Sequence, residues 1–277
     1  MTNDKIINFH KHVIDTRKNK KFLLSQIGNA DQTPIFFDMP SNTTICEKGA
    51  KSVLVRTTGY EKVRCTVMLS MMADGTKLPP YVIFKRKTMP KENLPKGIYV
   101  RVQEKGGMDA PMVRDWVRTV WNRRPGALLR KPCLLVWDSF HGHLGDDTKR
   151  LLSEMKTDLA VIPGGLTSVL QPLDVSVNKP FKDNIRKLYA QWMAEGGHSL
   201  TPTGKIRWPS IELMCSWIVR ACDMVNQRVI VTSFLKTGIS NALDGSEDNA
   251  WWQTEENVDE ESESEEDYSS EEESNDA

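Results

Sequence analysis

The rhythm of the chain changes at Cys133, and that change narrows the fold more than any other feature. Upstream, runs rich in β-branched and apolar residues follow one another directly, at residues 52–57, 64–70, 81–84 and 98–102. Asp74-Gly75, a dipeptide that supplies the positive φ of a tight hairpin, lies between the second and third. The first three of these runs predict an antiparallel meander, and the fourth reads as another short strand. Downstream, strands alternate with helices: Leu134 to Trp137 reads as a strand, Asp146 to Met155 as a helix, and Leu159 to Ile162 as a strand closed by Pro163-Gly-Gly165. A strand–helix–strand unit needs its strands parallel and adjacent. The expected fold class is therefore α/β, with one mixed sheet of meander and parallel strands flanked by helices.

An earlier strand is expected within residues 22–37, interrupted at Gly28-Asn-Ala-Asp31. Asp109 is placed to cap a helix that carries Val113, Trp116, Val117, Val120 and Trp121 at helical spacing. A long helix is expected from Asp174 to about Met193, with Val177, Phe181, Ile185, Leu188 and Trp192 as its apolar stripe. Further helical stretches follow at about 211–226 and 232–236, and no internal repeat is seen.

Charge is distributed unevenly. The formal net charge is zero, but residues 244–277 hold 16 of the 37 acidic side chains and no Lys or Arg. The remainder sets 37 basic side chains against 21 acidic ones, a balance that points to an anionic partner, nucleic acid first and an acidic membrane surface second. No run approaches the roughly 18 apolar residues of a membrane span, and Met1-Thr-Asn-Asp-Lys5 lacks the apolar stretch of a signal peptide. Five scattered cysteines without a Cys-x-x-Cys pair read as reduced thiols of the cytosol or nucleus. Three regions result: a basic linker helix at 1–23, a folded domain at 24–243 and a disordered acidic tail at 244–277. The tail is too poor in apolar residues to offset the entropy of ordering. It is expected either to solvate the chain or to compete with DNA for the basic body.

Three carboxylates stand out by position: Asp31 in or beside the first strand, Asp138 at the end of the Leu-Leu-Val-Trp strand, and Asp174 at a helix entry. Open α/β sheets keep their chemistry at the carboxyl ends of strands, where Asp138 lies. Singly, each has a structural reading as well: Asp174 as a helix cap, Asp31 as a turn residue. Converging, they would hold one or two Mg²⁺ ions, which take oxygen ligands and leave positions open for water and phosphate. Two ions about 4 Å apart can activate an attacking water or 3′-hydroxyl and stabilise the leaving oxygen of a phosphodiester.

Asn29-Ala-Asp31-Gln-Thr-Pro34, Leu135-Val-Trp-Asp138 with His143 five residues on, and residues 167–174, Thr-Ser-Val-Leu-Gln-Pro-Leu-Asp, resemble the three catalytic blocks of the pogo/Tigger/jerky class of DDE superfamily transposases. Met39-Pro-Ser-Asn42, Met72-Ala-Asp-Gly-Thr76, Phe84-Lys-Arg-Lys87 and Asn178-Lys-Pro-Phe-Lys182 extend the likeness over roughly residues 24–195. The resemblance implies a ribonuclease-H-like fold and a triad of Asp31, Asp138 and Asp174 that binds Mg²⁺ or Mn²⁺, two ions in all. It implies cleavage of DNA at transposon ends and joining of those ends to target DNA in the nucleus. A homodimer is compatible with it; a membrane or a small organic cofactor is not expected. The chain departs from the pattern in two ways. Asp31-Gln32-Thr33 stands where many relatives have Asp-Glu-Thr, and these 277 residues lack a counterpart of the family's N-terminal helix-turn-helix region. The alternative is a domesticated, catalytically silent DNA-binding or chromatin-associated protein.

His141 and His143 have no third ligand at zinc spacing, so a phosphate-contacting or supporting role fits His143 better. Lys85, Arg86, Lys87, Lys179, Lys182 and Arg186 are candidates for a DNA path. Basic residues without interleaved aromatics suit phosphate contact better than base reading.

Overall fold

A computed structural model of the chain describes residues 2–39, 62–139, 145–202 and 206–244, with single positions at 48, 58, 204 and 246. The strands are β1 (Ile27–Phe36), β2 (Arg64–Met72), β3 (Tyr81–Lys85), β4 (Tyr99–Gln103), β5 (Cys133–Trp137) and β6 (Thr157–Val161). They form one sheet in the order β4-β3-β2-β1-β5-β6. β1/β2 and β2/β3 pair antiparallel, whereas β3/β4, β1/β5 and β5/β6 pair parallel. The expected mixed sheet is thus present. The strand expected at 52–57 and the acidic tail lie outside the described residues, apart from Asp244 and Ser246.

Helices cover both faces. On one side lie α2 (Ala110–Thr119) and α3 (Asp146–Glu154); on the other lie α1 (Thr2–Lys20), α5 (Asn178–Glu195), α6 (Ile211–Met224) and α7 (Gln227–Lys236). A short α4 (Thr167–Leu170), absent from the sequence reading, precedes α5. Strand side chains alternate between faces, so each strand feeds two cores. In β5, Cys133, Leu135 and Trp137 join Trp116 and Trp121 in the α2/α3 core. Leu134 and Val136 join Phe181, Ile185 and Ile218 on the opposite side. Asp109 caps α2 as expected, its carboxylate accepting from the Met112 N–H at 3.0 Å.

Two boundaries differ from expectation for tertiary reasons. β1 runs unbroken through Gly28-Asn-Ala-Asp31, because β2 pairs with it from Gly28 to Phe36 and β5 pairs with its start. Gly28 is a packing requirement there: a Cβ would lie 2.7 Å from the Trp121 ring and 2.9 Å from Met72 Sδ. The long helix also begins differently. Residues Leu173–Val177 form a π-helical turn, closed by the Asn178 N–H on the Leu173 carbonyl, before α5 starts. Such wide turns recur at functional sites because they shift side chains by one position.

The basic N-terminal helix is docked rather than free-standing. Phe9 and Val13 are buried in the core, and the His10 ring bonds the Thr237 carbonyl at 3.0 Å. Burial lowers the His10 pKa. The Arg17 guanidinium donates to the Asn241 carbonyl at 2.8 Å and the Ser240 carbonyl at 3.3 Å, tying α1 to the segment after α7. Cys65, Cys133, Cys215 and Cys222 are buried free thiols, and Cys46 lies outside the described residues. No helix among the described residues is long and apolar enough to cross a membrane. Phe9→Ala should cost about 3 kcal/mol through loss of buried aromatic surface, read as a lower midpoint in urea unfolding. A linker helix would leave that midpoint unchanged.

Candidate active site

The site grows from an exception to the alternation of β1. Ile27 and Ile35 enter the core on the α5 side, and the residues of the same parity between them are Asn29, Asp31 and Thr33, all buried and all polar. A strand that aims three polar side chains into a core position gives up apolar burial there, and each group needs a partner.

Asn29 meets this need in a way that builds the site. Its amide nitrogen donates to the Val136 carbonyl of β5 at 2.8 Å. Its oxygen accepts from the Leu173 N–H at 3.2 Å. One fully buried side chain thus joins β1, the end of β5 and the turn leading to α5. Val136 is two residues before Asp138, and Leu173 is the residue before Asp174. The parallel register pairs Asn29 with Val136, the last pair of that ladder, and Asp138 follows just past the end of β5. All three sequence-predicted carboxylates are therefore carried by elements that Asn29 ties together.

Asp31 and Asp174 are brought into one cluster. The Asn178 amide donates to Asp31 Oδ2 at 2.6 Å and to Asp174 Oδ1 at 2.9 Å. Asn178 follows Asp174 by four residues, across the wide turn, so both side chains point the same way. Asp174 is exposed, whereas Asp31 is only 9 % exposed. Burial first, and the charge of Asp174 second, push the Asp31 pKa up to about 7.

The donor set suits a hard divalent cation. Two carboxylates crowd against each other with a neutral amide as their shared partner, and the buried Asn178 Oδ1 has no hydrogen-bond partner. Asp138 is half-buried at the end of β5, just before residues 140–144, which lie outside the described set along with His141 and His143. Among the described residues, no three His, Cys, Asp or Glu side chains gather closely enough to hold a metal ion. The structure thus closes the Asp31–Asp174 pair, while Asp138, just past the end of β5, does not complete a three-carboxylate group with them.

The basic candidates divide. Lys179, Lys182 and Arg186 border a groove that includes Asp174 and Asn178. Lys85 borders a second groove, and Arg86 and Lys87 are exposed beyond the end of β3. Asn29 and Asn178 lay within motifs quoted from the sequence, yet their roles were not read there. The spacing of four between Asp174 and Asn178 was the available signal.

A six-stranded mixed sheet flanked on both faces by helices, with Asp31 on β1, Asp138 just past the end of β5 and Asp174 in the turn before α5, has the architecture of a ribonuclease-H-like fold. The fold is shared with solved transposase structures. The Mos1 transposase paired-end complex with left transposon end aligns over 84 % of this chain and 58 % of that one, at TM-score 0.53 and 12 % identity. The mariner Mos1 paired-end complex with Mg aligns over 88 % and 60 %, also at TM-score 0.53 and 12 % identity. The profile of the DDE superfamily endonucleases matches residues 62–234, and the chain belongs to that family. It is 38 % identical over 252 residues to the human protein described as pogo transposable element with KRAB domain. That alignment takes in 91 % of this chain but 41 % of the relative, so the chain spans about two fifths of that relative's length.

Two outcomes follow from this geometry. Asn29→Ala would orphan a buried carbonyl and a buried N–H, and should cost about 2–4 kcal/mol in denaturant unfolding. The raised Asp31 pKa means that the folded chain keeps this proton to higher pH than the unfolded chain. The corresponding stability is full below about pH 4 and is lost as pH rises through about 7. Metal-free protein should therefore lose thermal stability across that window, and Asp31→Asn should flatten the profile.

Proposed function

We infer that the chain is the catalytic domain of a transposase-derived DNA endonuclease, in which Asp31, Asp138 and Asp174 hold Mg²⁺ or Mn²⁺ for phosphodiester cleavage and strand transfer in the nucleus. The observation that carries this reading is the Asp31–Asn178–Asp174 cluster, joined through Asn29 to the strand that ends in Asp138. Divalent ions bound there would activate the attacking oxygen and stabilise the departing one.

The chain's own residues do the rest. Burial and the neighbouring Asp174 push the Asp31 pKa up to about 7, so Asp31 would give up its proton readily where it is to hold a cation. Asp174 is exposed, so its carboxylate is accessible to an incoming phosphodiester. Asn178 fixes the spacing of these two carboxylates by donating to both. Asn29 keeps Asp138 and Asp174 in step by bonding one backbone group near each. DNA as the substrate is supported by family membership and by the Mos1 complexes, which contain a transposon end.

A second reading, of a silent DNA-binding protein that keeps the fold, is favoured by one observation: Asp138 does not close a three-carboxylate group among the described residues. Nicking of supercoiled plasmid by the purified chain separates the two. With Mg²⁺ or Mn²⁺ the wild type should nick, and Asp138→Asn should reduce the rate by at least about a thousandfold, on the scale of losing a metal-bound stabilisation of several kcal/mol. Equal inactivity of both proteins on DNA that both bind would leave the silent reading standing.

A further inference from the structure

Four exposed leucines stand at the end of the sheet where β1 and β5 begin. Leu23 is 61 % exposed and Leu24 41 %, just before β1; Leu128 is 99 % exposed and Leu129 74 %, just before β5. β1 and β5 are parallel neighbours, so the two segments meet at the same edge. Hydrogen bonds join them: Gln26 Nε2 donates to the Pro132 carbonyl at 2.8 Å, and Gln26 Oε1 accepts from the Leu23 N–H at 2.8 Å. A single exposed leucine is ordinary, but two pairs in neighbouring segments make an apolar patch that favours being covered.

The turn that carries Leu128 and Leu129 is held in shape. The Leu129 and Lys131 N–H groups both donate to the Gly126 carbonyl at 3.1 Å, and the Arg130 N–H donates to the Ala127 carbonyl at 2.9 Å. Gly126 sits at φ +78° and Arg130 at φ +47°, the left-handed region that a side chain adopts only at a cost. A turn already fixed loses little backbone freedom when something packs against it. The rim is basic. Lys21, Arg130, Lys131 and Lys156 are exposed, and Lys156 is brought to this edge because its carbonyl accepts from the Cys133 N–H at 3.0 Å. Among the described residues, none of these four forms an ion pair.

The chain's own C-terminal segment has the complementary character and departs from the same neighbourhood. The Arg17 guanidinium holds the Asn241 carbonyl at 2.8 Å, shortly before Asp244. Four residues of helix and two more separate Arg17 from Leu23, about 13 Å at most. Beyond Asp244 the sequence reaches Trp251-Trp252, flanked by Glu247 and Asp248 on one side and by Glu255 and Glu256 on the other. The connecting residues span up to about 24 Å, so the indoles can reach the leucines, and so short a tether keeps their local concentration in roughly the millimolar range. Aromatic rings set between acids match leucines set between cations in both apolar surface and charge.

We propose that Trp251 and Trp252 dock on the patch formed by Leu23, Leu24, Leu128 and Leu129, with the acids on either side meeting Lys21, Arg130, Lys131 and Lys156. Docked there, the segment is anchored where β5 begins, about 16 Å of strand from Asp138, and lies away from the carboxylates.

The test is fluorine NMR of the full chain labelled with 5-fluorotryptophan, with the Trp251 and Trp252 signals assigned by Trp251→Phe and Trp252→Phe. In the wild type both signals should lie away from the positions they take in urea, and Leu128→Ser/Leu129→Ser should move both to those positions. Arg130→Gln/Lys131→Gln, or salt at about 0.5 M, should move them part of the way by removing or screening the charge on the rim. Met224→Ser, which removes an exposed apolar side chain at the end of α6, should leave them in place. The chain has 8 tryptophans, and the signals of the others report whether each variant is folded. Wild-type signals already at the urea positions, or signals that Leu128→Ser/Leu129→Ser leaves in place, overturn the docking. Shifts that fade on dilution assign the patch to the tail of another copy and overturn the contact within one chain.

Discussion

A single buried amide determines the geometry on which the site depends. Asn29 spends its donor on β5 and its acceptor on the turn before α5, so three segments far apart in sequence are locked at one point. A hydrophobic residue at that position would pack but would not fix direction, because dispersion contacts tolerate sliding and hydrogen bonds do not. The carboxylates then inherit their places: Asp31 two residues along the same strand, Asp138 two residues past the accepting carbonyl, Asp174 one residue past the donating N–H.

This arrangement costs stability. Asn29, Asp31 and Thr33 occupy the face of β1 where the neighbouring Ile27 and Ile35 bury fully. Asp31 is pushed toward the neutral form by burial and by its neighbour Asp174, and a cation held between the two carboxylates would offset their repulsion. The surrounding cores supply the compensation. Trp116, Trp121 and Trp137 pack with ring centroids 5.0 to 5.9 Å apart on the other side of the sheet, directly behind the polar strand. Gly28 is absent a side chain for that reason: the indole of Trp121 takes its place.

The same sheet orders the electrostatics outside the site. In the groove beside the cluster, Asp174 is the one carboxylate among the described lining residues, set against Lys179, Lys182 and Arg186. A phosphate brought close to Asp174 would meet like charge there, which a cation would offset.

Much of this was legible in the residues. Apolar runs and the shift from consecutive strands to strand–helix alternation specified a mixed sheet, because side-chain period and connection type are properties of local sequence. The ordered motifs ending in Asp31, Asp138 and Asp174 marked the carboxylates. Continuity of β1 was not legible: Gly28-Asn-Ala-Asp31 has the composition of a turn, and only pairing with β2 and β5 holds it extended. The π-helical turn at residues 173–177, the docking of α1 through Phe9 and Val13, and the joint hold of Asn178 on two carboxylates were likewise decided by packing. Sequence by itself determined which groups carry charge and which segments are strands or helices. Tertiary structure alone decided which of those charges meet, because long-range hydrogen bonds such as those of Asn29 join residues more than a hundred positions apart.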